Sequence, residues 1–253
     1  MYQFKSLTEL DNRSISVGSW NVLAQSYARS DRYRNSPVGW SGAHRPLRVA
    51  NIVCEYLTRC DVLCLQEVDL TMRDAIYDLL GGATSHFAPH QSRSDGTMLI
   101  SRHVLENPVV ITSGNMSATT AQLKHPLGNV TVISAHLEWS PDPNQAKSCL
   151  IELLKEIHQL TDENVILAMD ANTAPDSESM SPLTLSGWSV TPPHPTAYIQ
   201  DRGWISLDLV VSRFSKVHLV EIKGGTEVIP SKLWPSDHCL VLAEVESSAS
   251  EHL

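Results

Sequence analysis

The chain predicts an α/β fold of two packed sheets with helices outside, and three observations predict it. Short apolar runs recur along the sequence, and each ends in an acid, an amide or an imidazole. Apolar stripes at helical spacing separate several of them, the alternation that builds layered α/β architectures. No long linker and no break in composition divides the 253 residues, so one domain spanning 1–253 is expected.

Residues 14–22, Ser-Ile-Ser-Val-Gly-Ser-Trp-Asn-Val, alternate like a strand with Asn21 at its end. Pro46 suits a first helical turn, and Leu47, Ala50, Val53, Cys54 and Leu57 follow at helical spacing. Residues 61–67 form an apolar run that ends in Glu67. Asp69 or Thr71 is placed to cap a helix over 72–80, which Gly81 and Gly82 end. Asp95-Gly96 marks a turn before a strand over 97–102. Residues 122–128 resemble a hairpin turn, and a strand over 130–134 delivers His136. Asp142, with Pro143 behind it and Gln145 three positions on, starts a helix. Its predicted buried stripe is Leu150, Ile151, Leu154, Ile157 and Leu160.

Residues 165–169 are apolar on both faces and predict a fully buried strand. It stops at Asp170. Asn172 shares that residue's face, because alternate residues of an extended chain point the same way. A carboxylate at the end of a core strand must be solvated, paired or metal-bound. Residues 173–206, rich in Ser, Pro and Thr, read as mainly loop. Asp208 opens a strand over 209–213, and 217–222 is expected to pair with it. Pro235-Ser-Asp-His238 introduces the last strand, 239–245.

The formal net charge of −9 argues against sequence-blind binding of long duplex, which needs many phosphate-neutralising cations. It leaves room for a local basic patch, and residues 23–51 supply one. Arg29, Arg32, Arg34, Arg45 and Arg48 stand there against Asp31 alone, interleaved with Tyr27, Tyr33 and Trp40. That mixture suits a grip on a single strand by phosphate contacts and stacking. A solvated loop with locally paired arginines is the alternative. The cysteines, Cys54, Cys60, Cys64, Cys149 and Cys239, are odd in number, sit mostly among apolar residues and lack zinc-site spacing. They read as reduced core thiols of a cytosol-like compartment. No run approaches the ~20 apolar residues of a membrane helix. The start lacks the apolar stretch of a secretory signal, so a cytoplasmic protein without a membrane partner is expected.

Polar strand ends form the repeated pattern: Asn21, Glu67, His136, Asp170 with Asn172, Asp208, and Asp237 with His238. In this order, within Trp20-Asn-Val, Leu65-Gln-Glu-Val, Asp95-Gly-Thr, Ala135-His-Leu, Met169-Asp-Ala-Asn, Leu207-Asp-Leu-Val and Ser236-Asp-His, the chain resembles the endonuclease/exonuclease/phosphatase superfamily. The resemblance spans 19–242. Residues 21–28, 64–69 and 136–141 are similar to its deadenylase, nocturnin, Angel and 2′-phosphodiesterase branch. The usual Gly-Asp-Phe-Asn is Met-Asp-Ala-Asn here and the usual Asp-Tyr-Ile is Asp-Leu-Val, changes that spare the charged atoms.

The resemblance implies a DNase I-like four-layer α/β sandwich, two mixed sheets flanked by helices. It implies a Mg²⁺- or Mn²⁺-dependent phosphodiesterase, a 3′-to-5′ exoribonuclease on single-stranded, adenine-rich RNA. Oxygen donors without thiolates suit those hard cations. Glu67 is expected as the main metal ligand with Asn21 and Asp237 nearby. Asp170 would orient and deprotonate water, and Asn172 would hold Asp170 or a phosphoryl oxygen. His238, oriented by Asp208, would stabilise charge building on phosphorus, and His136 would donate to a non-bridging oxygen. Pro141 would line a base pocket, as its counterpart does in that branch. Arg29 and Arg32 are candidate substrate contacts. Tyr198 and Trp204 are candidate base stackers or plain packing residues. His194 and Thr196 lie in a Pro-rich loop within reach of the site, while His44, His125 and His158 read as solvated surface. A phosphatase, a DNA-repair endonuclease, a 2′-5′ phosphodiesterase and a catalytically silent binding module remain as alternatives.

Overall fold

The computed structural model describes residues 14–29, 31–34, 36, 40–80, 83–113, 116–161, 164–224 and 228–246. The first sheet holds six strands in the order β13 (Val217–Lys223), β14 (Leu240–Glu246), β1 (Ser14–Asn21), β2 (Val62–Gln66), β4 (Gly96–Ser101) and β3 (Thr84–Pro89). The second also holds six: β5 (Leu105–Ser113), β6 (Met116–His125), β7 (Gly128–Leu137), β8 (Val165–Asp170), β12 (Asp208–Ser212) and β9 (Ser189–Val190). Strands β1 and β2 are parallel, as are β7 and β8, and the other pairs are antiparallel. A small hairpin, β10 (Ala197–Ile199) and β11 (Gly203–Ile205), stands apart.

Side-chain alternation explains the layering. In β2, Val62 and Cys64 face the second sheet, packed among Ile15, Val17, Leu99, Ala121, Leu123, Ile166, Ala168 and Val210. The intervening Leu63 and Leu65 face outward beneath α1 (Arg45–Leu57) and α2 (Leu70–Leu79). In β8, Leu167 and Met169 likewise face α3 (Pro143–Leu160) and α4 (Ser181–Leu185). Both faces of each central strand are thus covered, which is why these strands are apolar without alternation. The result is the expected helix–sheet–sheet–helix sandwich. Gly96 is required where β4 meets β3, since a Cβ there would lie 2.1 Å from the Ala88 carbonyl oxygen.

Capping follows the sequence. Asp69 accepts from the Met72 N–H at the start of α2, and Asp142 accepts from the Asn144 N–H at the start of α3. The expected stop of α2 at Gly81-Gly82 lies outside the described residues.

Three expectations need correction. The buried stripe of α1 runs through Val49, Ala50, Val53, Tyr56 and Leu57, while Leu47 is 48% exposed. That of α3 runs through Ala146, Leu150, Leu153 and Ile157, leaving Ile151 and Leu160 outside. Ala50, Val53 and Leu57 in α1 and Leu150 and Ile157 in α3 lie on the stripe as expected, and the other positions differ because more apolar residues are present than one face needs. Strand β13 pairs with β14 at the edge of the first sheet, not with β12. Strand β12 spends its two edges on β8 and β9. Residues 173–206 are mainly loop, as expected, but also carry α4, β9, β10 and β11. Among the described residues, no helix is long and apolar enough to cross a membrane.

Candidate active site

Strand register gathers the polar ends. Asp170 sits at the end of β8 with His136 of β7 as its partner on one side and Asp208 of β12 on the other. Across the sandwich, Asn21 ends β1 and Glu67 follows β2, one residue beyond the Asn21–Gln66 pairing. Glu67 and Asn172 both have φ near +50°, at 55° and 50°. For a non-glycine residue this conformation costs of order 1 kcal/mol. The surrounding hydrogen bonds hold it. The Ala24 N–H donates to one Glu67 oxygen at 3.1 Å. The Asn172 N–H donates to Asp170 Oδ1 at 2.9 Å.

Asn21 bridges the two sheets. Its Nδ2 donates to Glu67 Oε1 at 3.0 Å and to Asp170 Oδ2 at 2.8 Å, while its Oδ1 accepts from the Leu23 N–H. Its amide therefore holds two carboxylates together, and its oxygen is turned away from the position of a cation ligand. On the far side of Asp170, His238 Nε2 lies 3.8 Å from Oδ2. Its Nδ1 is 2.9 Å from Asp208 Oδ2, the expected carboxylate–imidazole pair. Two indoles, Trp20 and Trp234, donate to the His238 carbonyl, and the Ser236 hydroxyl accepts from its N–H. Asp208 is placed by Thr196, whose hydroxyl accepts from the Leu207 and Asp208 N–H groups. Thr196 is thus a brace beneath the site.

Asn172 behaves differently from expectation. It reaches Asp170 only through its backbone N–H. Its side-chain Nδ2 donates to the Leu137 carbonyl at 2.8 Å and lies 3.0 Å from His136 Nε2. That contact occupies His136 Nε2, the ring nitrogen that lies 3.8 Å from Glu67 and 3.7 Å from Asp170. Asp237 is buried, and its Oδ2 accepts from the Tyr33 hydroxyl at 2.6 Å.

The electrostatics are those of crowded acids. Burial, and next the nearby Asp237, push the Glu67 carboxyl up to about 7. Burial also raises Asp170, with Asp208 adding to it against the pull of His238. Burial opposes charging of His238, but Asp208 and Asp170 overcome it and lift the imidazole well above its ordinary value. Burial lowers His136. Buried oxygens of Asp95, Asp208 and Asp237 have no hydrogen-bond partner among the described residues. Glu67, His136 and Asp170 bring one ligand atom each within 4.8 Å of one another, as do Asp170, Asp208 and His238. Raised carboxyls, orphaned oxygens and an oxygen-rich donor set fit a hard divalent cation among them.

Several predicted contacts lie elsewhere. Arg29 is exposed and ion-paired with Asp31 at 2.8 Å. Arg32 lines a groove of about 670 Å³ that opens beside His238 and Asp237. Within the arginine–aromatic stretch, Arg45, Tyr33 and Trp40 are internal scaffolding, while Arg34 is exposed. Arg45, 0% exposed, donates to the Val22, Leu23 and Pro235 carbonyls and ties the segment after β1 to the one before β14. Burial lowers its guanidinium to about 10. Tyr33 and Trp40 are buried edge to face with ring centroids 5.1 Å apart. Arginines in a loop whose carbonyls lack ladder partners serve those carbonyls first. Tyr198 and Trp204 pair across the hairpin and pack on the first-sheet core, 5.4 Å apart. Their neighbours Ala197, Ile199 and Ile205 take the groove side, as two-residue alternation requires. Pro141 is exposed and Trp139 and Ser140 line the groove instead. His194 is exposed, and His44 and His158 are on the surface as expected. His125 is not: its side chain is 8% exposed beside Asp61.

Asp95 was missed. It is buried, accepts from the Tyr27 hydroxyl at 3.1 Å and lies 4.0 Å from His136 Nδ1. Asp95-Gly-Thr counted toward the family resemblance, but its acid was given no role in the site. Burial and Asp95 together push the Tyr27 hydroxyl up to about 12.

Residues 18–238 match the model of the Endonuclease/Exonuclease/phosphatase family. No curated protein sequence matches the chain. Among solved structures, the human Nocturnin catalytic domain with bound sulfate is 21% identical. The match covers 94% of this chain and 95% of that one at a TM-score of 0.66. ANGEL2, described as a 2′,3′-cyclic phosphatase, is 16% identical over 94% and 96% of the two chains, with a TM-score of 0.72. A humanized D. rerio TDP2 is 17% identical over 92% and 99%, with a TM-score of 0.68. At these identities the likeness is one of fold.

Proposed function

The chain belongs to the endonuclease/exonuclease/phosphatase family of metal-dependent hydrolases, and from that premise we propose that it is a Mg²⁺- or Mn²⁺-dependent 3′-to-5′ exoribonuclease. Its substrate in this reading is single-stranded, adenine-rich RNA. The observation that carries it is the meeting of Glu67, Asp170 and His238 at one pole, with two carboxyls raised and one imidazole held charged. One domain, working in a reducing compartment such as the cytoplasm, suits the free buried thiols of Cys60, Cys64 and Cys239.

Glu67 would hold the cation, with Asp237 and Asp170 beside it. When bound, the cation supplies Lewis-acid polarisation of the phosphoryl group and offsets its growing charge. Asp170 takes the proton of the attacking water, and burial together with Asp208 raises its affinity for that proton. Asn21 and the Asn172 N–H fix its two oxygens in direction. His238, charged and steered by Asp208, donates to a phosphoryl oxygen as charge develops there. His136, kept neutral by burial, anchors Asn172.

Purified protein is assayed on poly(A) RNA, on a base-scrambled strand, on DNA and on a 2′,3′-cyclic nucleotide, each with Mg²⁺ and with EDTA. The last substrate is included because ANGEL2 is described as a 2′,3′-cyclic phosphatase. Metal-dependent shortening of poly(A) from its 3′ end, lost in Glu67→Ala and Asp170→Ala, is the expected result. Unchanged activity in either variant overturns the assignment, and equal rates on all strands overturn the adenine preference.

A further inference from the structure

Tyr33 lies in the segment after β1, away from the polar strand ends, yet its hydroxyl reaches the acidic pole. The residue is 6% exposed and its ring stands edge to face with Trp40 at 5.1 Å. The Arg45 guanidinium sits 5.8 Å from the Trp40 ring and donates to the Val22, Leu23 and Pro235 carbonyls. The chain just after β1 and the chain just before Asp237 are thereby tied to one buried cation. Across that tie the Tyr33 hydroxyl donates to Asp237 Oδ2 at 2.6 Å. The other oxygen, Oδ1, is buried and has no hydrogen-bond partner among the described residues. A buried carboxylate with one oxygen satisfied and one bare calls for an explanation. Asp237 precedes His238, whose Nε2 lies 3.8 Å from Asp170, and its charge bears on Glu67. The bare oxygen therefore belongs to the crowded pole.

We infer that Tyr33 is a positioning residue for the cation site: it occupies one oxygen of Asp237 and leaves Oδ1 as the single oxygen that this residue offers to a divalent cation. The inference rests on the metal-dependent reading of the pole and adds to it the group that sets how Asp237 binds. A short hydrogen bond to a charged acceptor is strong and directional, so it fixes the plane of the carboxylate. Without it the carboxylate is free to turn, to offer both oxygens at once or to swing away. The choice between one oxygen and two matters to the ion. Mg²⁺ demands near-ideal octahedral geometry at short range, whereas Ca²⁺ is larger and accepts bidentate carboxylates and irregular shells. A tyrosine that holds Asp237 to one oxygen therefore favours the small cation over the large one. Groups that orient a ligand without touching the metal act in this way in other sites.

The test titrates Mg²⁺, Mn²⁺ and Ca²⁺ separately into metal-free protein by calorimetry, with circular dichroism confirming the fold of each variant. Tyr33→Phe removes the hydroxyl and keeps the ring against Trp40, and Tyr33→Met is a second hydroxyl-free chain, so either one that folds serves. Affinity for Mg²⁺ and Mn²⁺ is expected to fall about ten- to a hundredfold, while affinity for Ca²⁺ stays within about threefold. In an Asp237→Asn background, removing the hydroxyl should change none of the three further, because Tyr33 acts through that carboxylate. A folded hydroxyl-free chain that binds Mg²⁺ and Mn²⁺ as the wild type does overturns the role of Tyr33. So does one that loses Ca²⁺ to the same extent, or one whose loss persists in the Asp237→Asn background. Each of these leaves the metal-dependent reading intact. A wild type that binds none of the three cations overturns both.

Discussion

Asp61 stands immediately before β2 and Glu67 immediately after it, and each meets imidazole within 4.8 Å. Asp61 faces His103 and His125 at the far pole of the sandwich, while Glu67 faces His136 and Asp170 at the near one. At the far pole every acceptor is used. Ser16 donates its N–H and hydroxyl to one Asp61 oxygen at 2.8 and 2.7 Å. Arg102 and His103 meet the other at 2.9 and 3.0 Å. Burial opposes ionisation of Asp61, but His103, the His125 imidazole 3.7 Å away and the hydrogen bonds from Ser16 outweigh it and hold the carboxyl far below its usual range. A cation there would compete with the Arg102 guanidinium for the same oxygen. At the near pole acids meet acids, burial raises them, and buried oxygens go without partners. The same residue types thus make a staple at one end and, at the other, a cluster fit to hold a cation. Satisfaction of the donors and acceptors, not their identity, separates the two.

That contrast can be broken from either end. The largest effect is on catalysis: Glu67→Gln or Asp170→Asn should cut kcat/KM by about a thousandfold, whereas Asp61→Asn should leave it within twofold per folded molecule. Steady-state assays on an RNA diester decide this. Second, Asp61→Asn should cost about 3 kcal/mol of stability, because it strands Arg102 and two histidines around a neutral amide. In a chain of this size that is a fall in Tm of roughly 6–12 °C by calorimetry.

Opposite pH behaviour should follow. The folded pKa of Asp61 lies below its unfolded value, so its stabilisation is present above the ordinary carboxylate range and is lost as pH falls through that folded value. Glu67 lies at about 7, above its unfolded value, so in metal-free protein its ionisation destabilises progressively as pH climbs from the carboxylate range to about 7. Chemical denaturation of the two variants against wild type across this range should show Asp61→Asn flattening the acid limb. Glu67→Gln should remove the decline toward neutrality. At pH 7.5 without metal, Glu67→Gln should be about 1 kcal/mol more stable than wild type, a rise in Tm of some 2–4 °C. His125→Ala should show the smallest change, about 1 kcal/mol lost.

Much of this was legible in the sequence, for reasons tied to particular residues. The strands ending in Glu67 and Asp170 were readable because both faces of each are buried, which leaves an unbroken apolar run with a polar stop. The Asp208–His238 pair was readable from the resemblance and is there at 2.9 Å. What escaped was set by packing rather than by residue type. Arg45 and Arg29 look alike in sequence, yet one is sealed among carbonyls and the other pairs Asp31 in solvent. Tyr198 and Trp139 are both aromatic, but the register of a short hairpin turns Tyr198 to the core, while Trp139, after β7, lines the groove. The role of Asp95 depends on β4 lying beside β2, a contact between segments about thirty residues apart.

The central claim is that the acids at the near pole are gathered to hold a divalent cation. Isothermal calorimetry of Mg²⁺ and Mn²⁺ into metal-free wild type, Glu67→Gln and Asp61→Asn tests it most directly. Saturable binding in the wild type and in Asp61→Asn, abolished in Glu67→Gln, is the predicted result. Binding that survives Glu67→Gln, or that disappears in Asp61→Asn while the fold persists, would contradict it.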